Sequence, residues 1–171
     1  MKFPVLYAGQ RWTATLAASL ETDMVFKAAD LSRISTVTVA NDPDLTLSGP
    51  AGTFNIGFKC IYTSAAAPGL RLCWGSTGTI VSGHRACVGN TTGTAYASTV
   101  SRYRAVPAAS ITSTELGYGQ TAAEIAIAWE EAPGMVFSTA WSITLKWAQV
   151  TSTATNLTLV AGSMGWSKQL A

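Results

Sequence analysis

Apolar and polar side chains alternate along several segments of the chain, and this two-residue period predicts β-strands. The longest such segment, "FNIGFKCIY", places Phe54, Ile56, Phe58, Cys60 and Tyr62 on one face. The intervening positions carry mostly Asn, Gly and Lys. The segment therefore predicts a strand with one buried face.

Four further segments repeat the alternation, and three of them carry tryptophan on the apolar face. These segments are "LRLCW" at 70–74, "EIAIAWE" at 124–130, "WSITLKW" at 141–147 and "NLTLVAG" at 156–162. Shorter candidate strands lie at 24–28, 35–39 and 45–47. Predicted turns separate the candidates at "NDPD" (41–44), "APG" (67–69 and 132–134) and "GNTTG" (89–93).

Several short strands divided by turns predict an all-β fold, and we expect a single β-sandwich of jelly-roll type over residues 22–171. The apolar faces give the predicted core, which consists of Phe54, Ile56, Phe58, Leu70, Leu72, Ile125, Ile127, Ile143 and Leu145. Between 76 and 121 the alternation weakens in a stretch rich in Gly, Ser, Thr and Ala. We expect irregular strands there with long loops, where binding residues commonly lie.

Residues 1–21 follow another pattern and are predicted to form an N-terminal arm. "TATLAASLE" at 13–21 predicts one small helix, with Thr13 as its N-cap. The arm carries more large apolar side chains than a free tail could keep in water. Those expected to make contacts are Phe3, Leu6, Tyr7, Trp12 and Leu16.

Composition narrows the range of partners. Charged residues make up 12% of the 171 residues, hydrophobic residues make up 48%, and the net charge is only +2. This near-neutral balance gives no basis for nucleic-acid binding or for attraction to an anionic membrane. The longest charge-free stretch, 147–167, is interrupted by polar side chains and does not predict a membrane span. A low charge with a high apolar content indicates that other subunits cover part of the surface.

Few side chains suggest catalysis or metal binding. His84 is the one histidine, and neither a G-x-S-x-G motif nor a second pair of metal ligands accompanies it. Glu130 and Glu131 point to opposite faces of a strand, so they are interpreted as a strand end entering a turn rather than an acid–base pair. Asp42 and Asp44 are assigned to a solvated turn. We therefore expect no enzymatic activity, no metal and no cofactor.

Cysteine and tryptophan have structural interpretations. The three cysteines, Cys60, Cys73 and Cys87, contain no C-x-x-C pair and are predicted to be small buried residues. Four tryptophans share strand faces with Leu or Ile, which favours the core or a subunit interface: Trp74, Trp129, Trp141 and Trp147. Exposed tryptophans on a sandwich would instead favour stacking on sugars.

The closing sequence resembles the C-terminal part of virion proteins from tailed phages of actinobacteria. The resemblance rests on "ITLKWAQ", the turn "TSTATNLT" and "LVAGSMGWSKQLA". "YAGQRWTATLAASL" at 7–20 resembles the beginning of the same proteins, and "VFKAADLSRISTVTVANDPDLTL" at 25–47 is also similar to them. The match covers both ends of the chain and little of the middle. Its motifs are structural and include no catalytic residue.

This resemblance implies a structural protein of a tailed-bacteriophage virion, assembled in the host cytoplasm as a homotrimer. We expect a capsid decoration or head-fibre protein, because the chain is compact and lacks a long shaft. Its partners would be the major capsid protein or other virion subunits, with no nucleic acid and no membrane. Trp141, Trp147 and Trp166 are the predicted subunit-interface residues.

The arm has two interpretations. It could attach the protein to the particle through Phe3, Leu6, Tyr7, Trp12 and Leu16, or it could cover the open end of its own sandwich. Two alternative functions also stay open. One is a tail-fibre or minor tail module that binds host cell-surface glycan through the loops of 76–121. The other is a carbohydrate-active enzyme or lectin-like module outside any virion.

Overall fold

The computed structural model describes residues 21–64, 68–90, 101–119 and 125–170, apart from the side chains of 101–104. In chain order its elements are β1 (Asp23–Phe26), β2 (Leu31–Arg33), β3 (Ala40–Gly49), β4 (Gly52–Ser64), β5 (Leu70–Thr77), β6 (Ile80–Ser82), β7 (His84–Asn90), β8 (Ser101–Pro107), the 3₁₀ turn η1 (Ala108–Ser110), β9 (Leu116–Tyr118), β10 (Ile125–Phe137), β11 (Trp141–Gln149), β12 (Leu157–Leu159) and β13 (Met164–Leu170). The predicted all-β class is confirmed. Most of the predicted arm helix and all five proposed anchors lie outside the described residues: Phe3, Leu6, Tyr7, Trp12 and Leu16.

The strands form two antiparallel sheets. The large sheet has the order β1-β13-β4-β10-β7-β8, and β2, β6 and β12 join it at its margins. The small sheet has the order β3-β11-β5-β9. The two sheets form the expected sandwich, while the finer jelly-roll assignment stays a prediction.

Aromatic side chains join the inner faces of the two sheets. Phe54 of β4 packs edge-on against Trp141 of β11, with ring centroids 4.9 Å apart, and Phe137 of β10 stacks on the same indole at 4.7 Å. Phe58 of β4 meets Trp74 of β5 at 5.3 Å. Seven of the nine predicted core residues are buried here: Phe54, Ile56, Phe58, Leu70, Leu72, Ile143 and Leu145.

Some predicted turns and strands differ from the structure. Residues 35–39 form no strand, and "NDPD" lies inside β3 rather than in a turn. β3 is an edge strand, and Pro43 falls in the irregular stretch between its two paired segments, where a missing N–H is tolerated. "APG" at 132–134 is a bulge inside β10, and Gly134 adopts a φ of +65° there. β4 and β10 therefore pair along 13-residue strands.

The orientation of β10 was predicted wrongly. Ile125 and Ile127 are 64% and 49% exposed, whereas Ala126 and Ala128 face the core. The reason is the space available inside the sandwich. The Tyr118 ring packs so closely over β7 that a Cβ on Gly89 would lie 2.4 Å from it, with the β10 backbone at Ala128 alongside. Small side chains fit beneath these aromatic rings, and the larger ones of β10 that precede its bulge point outward.

Candidate interaction surface

The outer face of the large sheet carries a group of exposed apolar side chains. We call this group the apolar face, and it comprises Met24, Phe26, Val88, Ile125, Ile127 and Trp129. Their exposed fractions run from 36% to 64%. Isolated exposed hydrophobic side chains are ordinary on proteins, but a cluster of large ones on one sheet face indicates an interaction site.

Cross-strand register makes the apolar face continuous. Phe26 lies opposite Met164, which lies opposite Lys59. Lys59 lies opposite Trp129, and Trp129 lies opposite Val88. Directly paired residues of antiparallel strands share one face. This row therefore crosses five strands, from β1 at the edge to β7.

A second row beside the first contains the other surface tryptophan. Met24 lies opposite Trp166, which lies opposite Gly57. The Trp166 indole lies directly on Gly57, where a Cβ would be only 2.1 Å from the ring. The same indole meets Trp129 edge-to-face, with centroids 5.1 Å apart. The absent side chain of Gly57 thus lets two tryptophans form one surface cluster.

Two opposite charges border this cluster. Lys59 is next to Trp129 on β4, and Glu131 follows Trp129 by two positions on β10. A Glu131 carboxylate oxygen accepts a hydrogen bond of 3.3 Å from Nε1 of Trp129. Within the described part of the chain, neither charged group belongs to an ion pair. Both remain available to a partner.

The outer face of the small sheet is polar by comparison. The hydroxyls of Thr46 and Thr144 lie 2.9 Å apart across β3 and β11. The Lys146 side chain lies along Gly75, where a Cβ would approach its Cε to 2.5 Å. Ser142 and its neighbours line a shallow open depression. This surface can remain in water, whereas the apolar face gains stability when it is covered.

Glu130 is a buried carboxylate rather than a strand end. It accepts hydrogen bonds from Nε1 of Trp74 at 2.6 Å and from the hydroxyl of Tyr118 at 2.5 Å, and NH1 of Arg85 lies 3.7 Å away. Burial, and next the Glu130 charge, raise the pKa of Tyr118, so its hydroxyl stays protonated and donates. Trp74 and Tyr118 belong to the small sheet, so this network ties the two sheets together.

Asp42 forms a second buried network, contrary to the predicted solvated turn. It accepts hydrogen bonds from Nζ of Lys27 at 2.9 Å and from Nε1 of Trp147 at 3.0 Å. It also accepts one from the backbone N–H of Asp44. The guanidinium of Arg33 lies 4.1 Å above the Trp147 ring, and burial lowers the pKa of Arg33. The carboxylates of Glu130 and Asp42 are therefore both enclosed by protein groups, and neither can contact a substrate.

The remaining candidate residues have simple positions. Cys60, Cys73 and Cys87 are buried, as predicted. Burial raises the pKa of Cys60 and Cys73, which disfavours the reactive thiolate. His84 is exposed at the start of β7. Within the described ranges, no group of three or more His, Cys, Asp or Glu side chains could hold a metal ion.

The predicted interface tryptophans separate into two kinds. Trp141 and Trp147 are 3% and 0% exposed and belong to the core of the sandwich, which corrects their assignment to an interface. Trp166 lies at the surface. Sequence reasoning missed Trp129 and its two isoleucine neighbours as surface residues. The local pattern gave no signal for this orientation, because Glu130, the charged residue, shares its face of β10 with the buried alanines.

In the part of the chain that the structure describes, no helix is long and apolar enough to cross a membrane. Comparisons with protein-family models, curated proteins and solved structures find no match to this chain.

Proposed function

We propose that the protein is a structural subunit of a tailed-bacteriophage virion, a capsid decoration or head-fibre protein on the particle surface. The observation that carries this proposal is the apolar face, because a continuous apolar surface of this kind is typical of a protein covered by other subunits. The resemblance of both chain ends to virion proteins supports the same class.

The protein acts by binding rather than by catalysis. Two buried carboxylates of the described residues, Glu130 and Asp42, accept hydrogen bonds from side chains that are distant in sequence. They hold the sandwich together instead of facing a cleft. The exposed chemistry of the molecule is that of a rigid sheet with aromatic and aliphatic side chains, which suits assembly.

In this proposal the protein forms a homotrimer and contacts the major capsid protein or other virion subunits. Residues 1–20 supply the attachment, with Tyr7 and Trp12 as anchors, because Tyr and Trp contribute strongly to binding at interfaces. The sandwich is then presented on the outside of the particle, in a virion assembled in the host cytoplasm.

Imaging of purified phage particles tests the proposed location. A label on this protein should decorate the head in many copies per particle. A label confined to the tail would favour the second candidate below, and absence from purified virions would reject both. Protein lacking residues 1–20 is the informative variant. It should fold but no longer join particles if the arm is the attachment device.

A second candidate is a tail-fibre or minor tail module that binds host cell-surface glycan. The observation favouring it is the surface pair of Trp129 and Trp166, bordered by Lys59 and Glu131. Aromatic rings stack on sugar rings, and adjacent charged groups can bond their hydroxyls. Titration of purified protein with host cell-wall polysaccharide tests this candidate. Binding should be lost in Trp129→Ala and retained in Thr144→Ala, on the other sheet.

A further inference from the structure

The apolar face is large enough for a stable protein–protein interface. Its six side chains are about half exposed on average. At roughly 200 Å² for each large side chain, they present roughly 600 Å² of apolar surface, the upper end for a monomer. Trp166, Ile61 and Lys59 lie among them and extend the surface. Together they approach the roughly 800 Å² that each partner of a stable complex buries.

The centre of this face is rigid and well suited to a binding hot spot. Trp129 lies on β10, which pairs along its length with β4. Its indole is braced edge-on by Trp166, which is itself seated on Gly57. Ordering such side chains on binding costs little, because the sheet already holds them in place. Buried tryptophans near the middle of an interface contribute a large share of binding energy.

The charges on this face are complementary to those on an identical face. Lys59 and Glu131 have opposite signs and flank the tryptophan cluster. Copies arranged with this face toward the axis of a closed trimer can place the lysine of one against the glutamate of the next. Like-charge repulsion, which separates identical surfaces of one sign, is absent between these two groups.

We propose that the apolar face is the surface at which copies of this chain pack against one another. The inference rests on the homo-oligomer of the proposed function and identifies its interface. It assigns Trp129 and Ile127 as central contacts, with Lys59 pairing with Glu131 of a neighbouring copy.

Sedimentation of the purified full chain at micromolar concentration tests the inference. The test variant is the double substitution Ile127→Lys with Trp129→Lys. The matched control is Thr46→Lys with Ser48→Lys, which adds the same charge to exposed positions on the outer face of the small sheet. Wild type and control should sediment as oligomers. The test variant should be monomeric, with its dissociation constant raised at least ~100-fold, and should keep the far-ultraviolet circular dichroism of the β-sheet fold.

Three results would overturn the inference. One is a wild-type protein that is monomeric at micromolar concentration, and another is a folded test variant that stays oligomeric. The third is a monomer that oligomerises when residues 1–20 are deleted, which would identify those residues as the natural cover of the face. The measurement needs no phage particle. If the oligomer dissociates in the test variant as expected but the protein is absent from purified virions, the proposed function is rejected and this interface is retained.

Discussion

Strands β10 and β11 both carry a large apolar residue at every second position, but β11 turns these residues toward the core and β10, before its bulge, turns them outward. In β11 the large residues point inward, namely Trp141, Ile143, Leu145 and Trp147. In β10 the corresponding large residues, Ile125, Ile127 and Trp129, point outward, and alanines with Glu130 point inward. β10 belongs to the large sheet and β11 to the small sheet, so the inner face of each strand points toward the other sheet.

The difference lies in what each strand faces. β11 faces Phe54 and Phe137, and large side chains from both sides interdigitate. β10 faces Trp74 and Tyr118, which reach across the sandwich to hydrogen-bond Glu130. Only small neighbours leave room for those rings. The comparison teaches that the buried face of a strand depends on the volume that opposing strands leave, and not only on its own apolar residues.

The largest contrast between the strands should come from a buried charge. Ile143→Asp on β11 should destabilise the folded chain by more than about 4 kcal/mol or abolish folding, because the carboxylate would be buried without a partner. Ile127→Asp on β10 should change the free energy of unfolding of the isolated subunit by less than about 1 kcal/mol. Urea denaturation of dilute protein measures both. Equal costs at the two positions would contradict the orientation of β10.

The next contrast lies within β10, between its two adjacent glutamates. Glu130→Ala should cost about 3–5 kcal/mol, because Arg85 would lose its buried counter-charge and two donors would lose their acceptor. Glu131→Ala is the matched control and should cost less than about 0.5 kcal/mol. Glu130→Gln should fall between them, since it keeps one carbonyl oxygen. Thermal unfolding monitored by circular dichroism gives the order of the three variants.

Sequence alone predicted the all-β class, because the two-residue period is a property of the strands themselves. It also predicted the buried faces of β4, β5 and β11, where one face is clearly more apolar than the other. It failed for β10, since both faces of "IAIAW" are apolar and the choice between them is made by Tyr118 and Trp74 from other strands. No local pattern contains that information.

The candidate surface was harder to predict for the same reason. Once Ile127 and Trp129 are assigned to the core, no exposed apolar face remains to be noticed. The buried networks were missed because their partners are distant in sequence: Lys27, just after β1, and Trp147, on β11, both donate to Asp42. A carboxylate in a strand gives no sign that indole and phenol donors will meet it.

A smaller effect should follow from adding volume to the inner face of β10. Ala128→Leu should cost about 1–3 kcal/mol, because the position is fully buried beside Cys60 and beneath packed aromatic rings. Ile127→Leu changes the neighbouring outward position and should cost less than about 0.5 kcal/mol in the isolated subunit. Equilibrium denaturation of the pair measures the difference. A tolerated leucine at 128 would mean that the space beneath β10 is not filled as described.

The smallest contrast is between the two buried networks at alkaline pH. The Glu130 network beneath β10 includes a phenol donor, Tyr118, whereas the side-chain donors to Asp42 are an ammonium and an indole. Burial, and next the Glu130 carboxylate, raise the pKa of Tyr118 in the folded protein. In the unfolded chain the same phenol ionises near pH 10. The folded state therefore binds more protons above that pH. The stability from this group is complete below about pH 10 and is lost as the pH rises, by about 1.4 kcal/mol for each pH unit.

Tyr118→Phe isolates this contribution. The variant should be less stable than wild type at pH 7, since Glu130 loses a donor, but its stability should fall less steeply between about pH 10 and 11. Burial also raises the pKa of Cys60 and Tyr62, so both proteins keep the alkaline loss that these groups cause. The side-chain donors to Asp42 are the indole of Trp147 and the ammonium of Lys27, and Tyr118→Phe leaves both unchanged. Denaturation of both proteins at several pH values measures the slopes, and parallel slopes would mean that Tyr118 is not held as a buried proton donor to β10.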